Sequence, residues 1–149
     1  MKIKPLFQII SYLQYLVMLL SVYYMMRPLL NNFENLLNDF NIGLTLMGIG
    51  TGVSTLQDTT KVQNKLSLKV YQSQKKTSFF LTLIGFQIFL FIAIGLWGLL
   101  QTKKSPVSEL SFGLISLGIG MIGILKAASE MAEYQYNLVR QESKANNQS

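Results

Sequence analysis

Residues 42–52 read "IGLTLMGIGTG", an apolar run with four glycines, and residues 112–122, "FGLISLGIGMI", echo it. Glycine costs about 1 kcal/mol relative to alanine inside a helix, so its use here needs a reason. A shift of 70 residues lays Gly43 on Gly113, Leu44 on Leu114, Gly48 on Gly118, Ile49 on Ile119 and Gly50 on Gly120. The same shift lays the first apolar run of the chain on the third. The pattern reads as a duplicated helical hairpin, repeat 1 over about 5–76 and repeat 2 over about 77–141, with a polar tail over about 142–149 expected to be disordered.

Composition sets the class. The chain has 149 residues, half of them hydrophobic and 13% charged. Soluble domains carry about 25% charge, so the deficit, with a positive mean hydropathy, points to a membrane protein. There is no cysteine and no histidine. That removes disulfides, thiol nucleophiles, cysteine zinc sites and the commonest general base. The net charge of +6 is better explained by membrane topology than by nucleic acid, which is not expected as a partner.

Four stretches read as transmembrane helices. Residues 6–26 and 79–100 are free of charge and long enough for a hydrocarbon core of about 30 Å. Residues 40–56 and 107–125 are shorter and richer in glycine. The first stretch follows Lys2 and Lys4 but is too long for a signal peptide core and lacks a cleavage site, so it reads as a retained span. Lysine and arginine set the direction. Lys2, Lys4, Lys61, Lys65, Lys69, Lys75, Lys76, Lys126, Arg140 and Lys144 fall on one side; Arg27, Lys103 and Lys104 fall on the other. Ten against three places both termini in the cytoplasm of an inner-membrane, multi-pass protein. Each hairpin then enters and leaves on the same side, which makes the repeats parallel.

The glycines then have a use. Lipid solvates leucine as well as another helix does, so helices in a bilayer associate through close backbone approach. Gly43, Gly48 and Gly52 on the second helix and Gly113, Ser116 and Gly120 on the fourth are the expected packing positions, with Gly48 and Gly52 a GxxxG pair. They are expected to join helices 2 and 4 to each other or to their copies in a homo-oligomer. A phosphate-binding glycine loop does not fit "GIGTG": no strand precedes it and no Lys-Ser/Thr follows.

Neither helix 2 nor helix 4 has a breaker at its inner end. No proline or glycine occurs over 53–76 or over 126–149. Both helices are expected to extend into the cytoplasm and pack together. Lys61, Lys65 and Lys69 share one face of the first extension. Ala127, Met131, Tyr134 and Leu138 make an apolar stripe on the second. The lysine stripe reads as a solvated face, as a contact for anionic lipid head groups, or as a pairing surface for a partner protein or for Glu130 and Glu133. On the outer side, Arg27-Pro28 is expected to end helix 1. Phe33, Leu36, Leu37 and Phe40 have the spacing of a short amphipathic helix. Ser105 or Ser108 caps helix 4.

Intramembrane ionisable residues are the usual pointers to function, and the two long spans have none. Gln14 and Gln87 are the polar residues nearest their centres and are expected to hydrogen-bond across helices. No motif for catalysis, cofactor or metal binding is found.

The stretch "IGLWGLLQTKKSPVSELSFGLISLGIGMIG", residues 94–123, resembles the two-helix repeat of the YiaA/YiaB family of small bacterial inner-membrane proteins. There a Gly-Leu-Trp closes one helix and an aromatic-glycine pair opens the next. Here these are Gly95, Leu96, Trp97, Phe112 and Gly113. The loop between them is longer here, and repeat 1 has "VYYMMRP" in place of Gly-Leu-Trp. The resemblance implies a duplicated four-span hairpin and no known reaction.

The sequence thus predicts an all-α, polytopic membrane protein of four transmembrane helices in two parallel hairpins. The function expected of it is non-enzymatic: an accessory or assembly subunit, in a homo-oligomer or larger complex, with a basic cytoplasmic platform. The alternative is an oligomeric channel or small-solute transporter.

Overall fold

The computed structural model describes residues 3–55, 73–101 and 105–146, with side chains described over 12–55, at 73, and over 75–101 and 105–138. The described residues form four helices: α1 (Ile3–Leu30), α2 (Leu36–Ser54), α3 (Gln74–Leu100) and α4 (Pro106–Asn146). No strand occurs among them.

Three of the four, over Tyr12–Leu30, Lys75–Leu100 and Pro106–Leu138, are long and apolar enough to cross a membrane. The expected fourth, α2, falls short of that measure. α2 has 19 residues, about 28 Å at 1.5 Å per residue, but Asn38, Asp39 and Asn41 lie in its first two turns and lower its hydropathy.

The helices lie side by side in the order α1–α2–α4–α3, and α1 and α3 do not meet among the described residues. α1 and α2 are antiparallel: Arg27 pairs with Asp39, Ser21 with Gly43, and Met18 lies against Gly50. α3 and α4 are antiparallel as well, with Gly98 against Val107 and Gly118 against Ile92. α2 and α4 run parallel, since Asn41 meets Gly113, Thr45 meets Ser116 and Thr55 meets Gly123. The result is a layer in which two antiparallel hairpins join through their second helices. The hairpin turns lie at one end. The N-terminus of α1 and the C-terminus of α4 lie at the other.

Several boundaries differ from expectation. α1 runs through Pro28 to Leu30. The Pro28 ring is fully buried, and burial at the last turn outweighs the backbone bond that proline removes. The helix then closes through Asn32, in the left-handed region at φ 49°, while the Phe33 N–H donates to the Pro28 carbonyl at 2.8 Å. Phe33 and Asn35 are left-handed too, so residues 33–40 do not form a separate amphipathic helix. Leu36, Leu37 and Phe40 instead open α2.

α2 ends at Ser54, and Thr55 is a turn. The Ser54 hydroxyl donates to the Thr51 carbonyl and the Thr55 hydroxyl to that of Gly52, at 2.6 and 2.7 Å. Such local bonds compete with helix continuation. At the far side Ser73 is extended, with φ −109° and ψ 111°. The expected unbroken helix over 53–76 is therefore interrupted at both margins. Lys61, Lys65 and Lys69 lie outside the described residues.

α4 starts as expected. Pro106 is its first residue, the Ser108 N–H donates to Ser105 Oγ at 3.2 Å, and the Ser105 N–H donates to Ser108 Oγ at 2.9 Å. This is a reciprocal cap in which serine takes the place of the usual glutamate. At 41 residues, α4 is about 60 Å long, twice the hydrocarbon thickness. Just past its midpoint α4 still packs on α3: Ala128 is buried with Ile84 and Ile88, flanked by Leu81 and Leu125. Ala128 and Gln135 are buried there, whereas of the expected stripe Ala127, Met131 and Leu138 are half-buried and Tyr134 is exposed. The most buried line is thus rotated slightly from the expected stripe, toward Leu81, Ile84 and Ile88 of α3.

Candidate functional site

α2 and α4 cross at close range. A Cβ built on Gly48 would collide with the Ser116 carbonyl, and one on Gly120 with the Gly48 carbonyl. A Cβ on Gly113 would come within 2.8 Å of the Asn41 carbonyl. Hydrogen bonds span the same seam. The Gly113 N–H donates to Asn41 Oδ1 at 2.7 Å, and the Ser116 hydroxyl donates to the Thr45 carbonyl at 3.0 Å. Small residues let the backbones approach until polar side chains reach the neighbouring main chain.

The other positions differ. Gly52 is not tight: its Cβ would meet only the Gly120 Cα, at 3.9 Å. Gly43 faces α1 rather than α4; its Cβ would lie 2.8 Å from Met25 Cγ, and its carbonyl accepts the buried Ser21 hydroxyl at 2.7 Å. The glycines of α2 therefore serve two neighbours, with Gly43 and Gly50 toward α1 and Gly48 toward α4. One signal was missed. Asn41, Thr45, Gly48 and Gly52 follow one another at spacings of four, three and four, so Asn41 belongs to the same face.

Beside the crossing lies a shallow apolar groove of about 380 Å³, floored by Gly48, Gly52 and Gly120 and rimmed by Ile49, Phe112 and Ile119. At the N-terminal end of α2, Asp39 is 2% exposed and bonded to Arg27 at 3.3 Å. Arg27 also lies 6.0 Å from the Tyr24 ring centre.

Gln14 is buried with no hydrogen bond to its Oε1. Gln87 is exposed on α3. Glu130 pairs along its own helix with Lys126 at 3.7 Å, and both are exposed, so the pair contributes little. Among the described residues no group of three carboxylates comes together to hold a metal ion.

No protein-family model, curated protein or solved structure matches the chain.

Proposed function

We propose that this chain is a non-enzymatic, multi-pass membrane subunit that presents a helical platform on its inner side. The observation that carries the reading is α4. Its inner half leaves the length needed for a bilayer, packs on α3 through Ala128, and exposes Lys126, Glu130, Glu133 and Tyr136. Lys75 and Lys76 are exposed at the start of α3, above Phe79 and Phe80, at the same end of the layer. Lysines beside aromatic rings suit an interface, with the ammonium groups among anionic head groups and the rings among acyl chains. Lys61, Lys65 and Lys69 add three more positive charges to the sequence between α2 and α3.

The finer topology is part of this proposal: α2 as a fourth span, both termini cytoplasmic, inner membrane, and two duplicated hairpins like those of the YiaA/YiaB repeat. The lysine excess supports the orientation. The parallel run of α2 and α4 supports the duplication, since residues 70 apart lie at one level, as Gly48 and Gly118 do.

Native mass spectrometry after gentle extraction tests the function. A stoichiometric second protein bound at the platform is the expected result. A homo-oligomer that passes small solutes in liposomes overturns it and makes the chain a pore built between copies.

A further inference from the structure

α3 is an edge helix of the layer, and its side away from α4 meets nothing among the described residues. On that surface Phe80, Leu83, Gln87, Leu90 and Ile94 follow at spacings of three, four, three and four. That is a heptad seam, the pattern by which two helices wind together with knobs in holes. It forms one flank of α3: Leu83, Leu90 and Ile94 are 48%, 38% and 40% exposed, and Phe86 and Phe89, 61% and 66% exposed, fall outside the three-four pattern. Gln87 is the middle residue of α3 and is exposed. A carboxamide held in lipid at that depth lacks partners for both its donor and its acceptor.

We propose that this seam joins two copies of the chain, with Gln87 of each copy hydrogen-bonded to Gln87 of the other at its centre. The inference rests on the reading that α3 spans a bilayer. All copies then share one orientation, so two α3 helices run parallel and each seam position meets itself. An amide is self-complementary: Nε2–H of one copy donates to Oε1 of the other, and the reverse. Lipid chains offer neither group. The 70-residue shift puts Val17 of α1 where α3 has Gln87, so only one edge of the layer carries the polar contact. One self-matching edge gives a closed pair, not a filament.

The chain has no cysteine, so single cysteines report the contact directly. Leu83→Cys, Leu90→Cys, Ile94→Cys, Phe86→Cys and Phe89→Cys are made in the full chain and oxidised with copper phenanthroline in native membrane vesicles. Disulfide-linked dimer is expected at 83, 90 and 94 and not at 86 and 89. Adding Gln87→Leu to Leu90→Cys is expected to weaken pairing about 3- to 20-fold, with Gln87→Asn retaining more of it. Uniform cross-linking, a maximum at 86 or 89, a link to a different protein, or indifference to Gln87→Leu overturns the proposal. Carbonate washing separates the two levels. Protein stripped from the vesicles sinks the spanning reading and the seam with it. Protein retained without the three-four pattern sinks only the seam.

Discussion

Gly48 and Gly120 face each other across parallel helices so closely that neither helix has room for a side-chain carbon. The backbone itself is the contact surface there, and the four glycines of 42–52 serve two different neighbours.

The glycines of this chain should therefore respond unequally to alanine. Gly48→Ala and Gly120→Ala force backbone apart and are expected to cost about 1–3 kcal/mol, the range for overpacking. Gly52→Ala should be near neutral, since only ordinary contact awaits it. Gly85 has nothing within 4 Å of its Cβ position, so Gly85→Ala should gain up to about 1 kcal/mol of helix propensity. Thermal unfolding in detergent, followed by helical circular dichroism, ranks the four variants. Equal loss at Gly48 and Gly85 would remove the packing role from Gly48.

The crossing was legible because small residues recur at helical spacing in two places. What escaped were features that tertiary contact decides. Asn41 looks like a polar outlier near a span end, and only the approach of α4 gives its side chain a partner. Pro28 reads as a helix stop, but its buried ring holds the last turn together. Phe33 gives no sign of a left-handed backbone, which bulky residues avoid. The stripe of the α4 extension was misplaced because its period is visible in sequence while the direction of its partner, α3, is not.

Asn41 and Ser116 should each contribute measurably to the crossing. Asn41→Ala removes the acceptor for the Gly113 N–H, and Ser116→Ala removes the donor to Thr45. Interhelical bonds of this kind are worth about 0.6–1.7 kcal/mol in membranes. Asn38 is exposed on the same helix, and Asn38→Ala should stay within about 0.5 kcal/mol of wild type. Titration with a denaturing detergent compares the three, and an Asn38→Ala loss equal to the others would mean that the interhelical bonds contribute nothing.

The turn between α1 and α2 holds strain that can be relieved. Phe33 sits at φ 63° and is 60% exposed, so its ring has little packing to lose. The left-handed conformation costs about 1–2 kcal/mol for an ordinary residue and less for asparagine or glycine. Phe33→Asn or Phe33→Gly should raise the unfolding midpoint. A fall in the midpoint would show instead that the ring holds the turn, through lipid or a second copy.

The Arg27–Asp39 pair should be asymmetric. Its Asp39 side chain is 3% exposed and its Arg27 side chain 44% exposed. Removing the arginine strands a carboxylate out of water, whereas removing the carboxylate leaves an arginine that still reaches solvent. Arg27→Ala is therefore expected to destabilise by about 1.5–3 kcal/mol, the scale of a hydrogen bond to a charged group. Asp39→Asn should cost less, and the double variant Arg27→Ala with Asp39→Asn should recover part of the loss, because a neutral amide is cheaper to bury than a lone charge. Arg27→Lys should fall between Arg27→Ala and wild type, since lysine keeps the charge but not the planar donor fork. Unfolding of the four variants at one ionic strength gives the coupling energy. If Asp39→Asn costs as much as Arg27→Ala and the double variant adds the two losses, the pair is uncoupled, and the carboxylate finds its stabilisation at the start of α2 without the arginine.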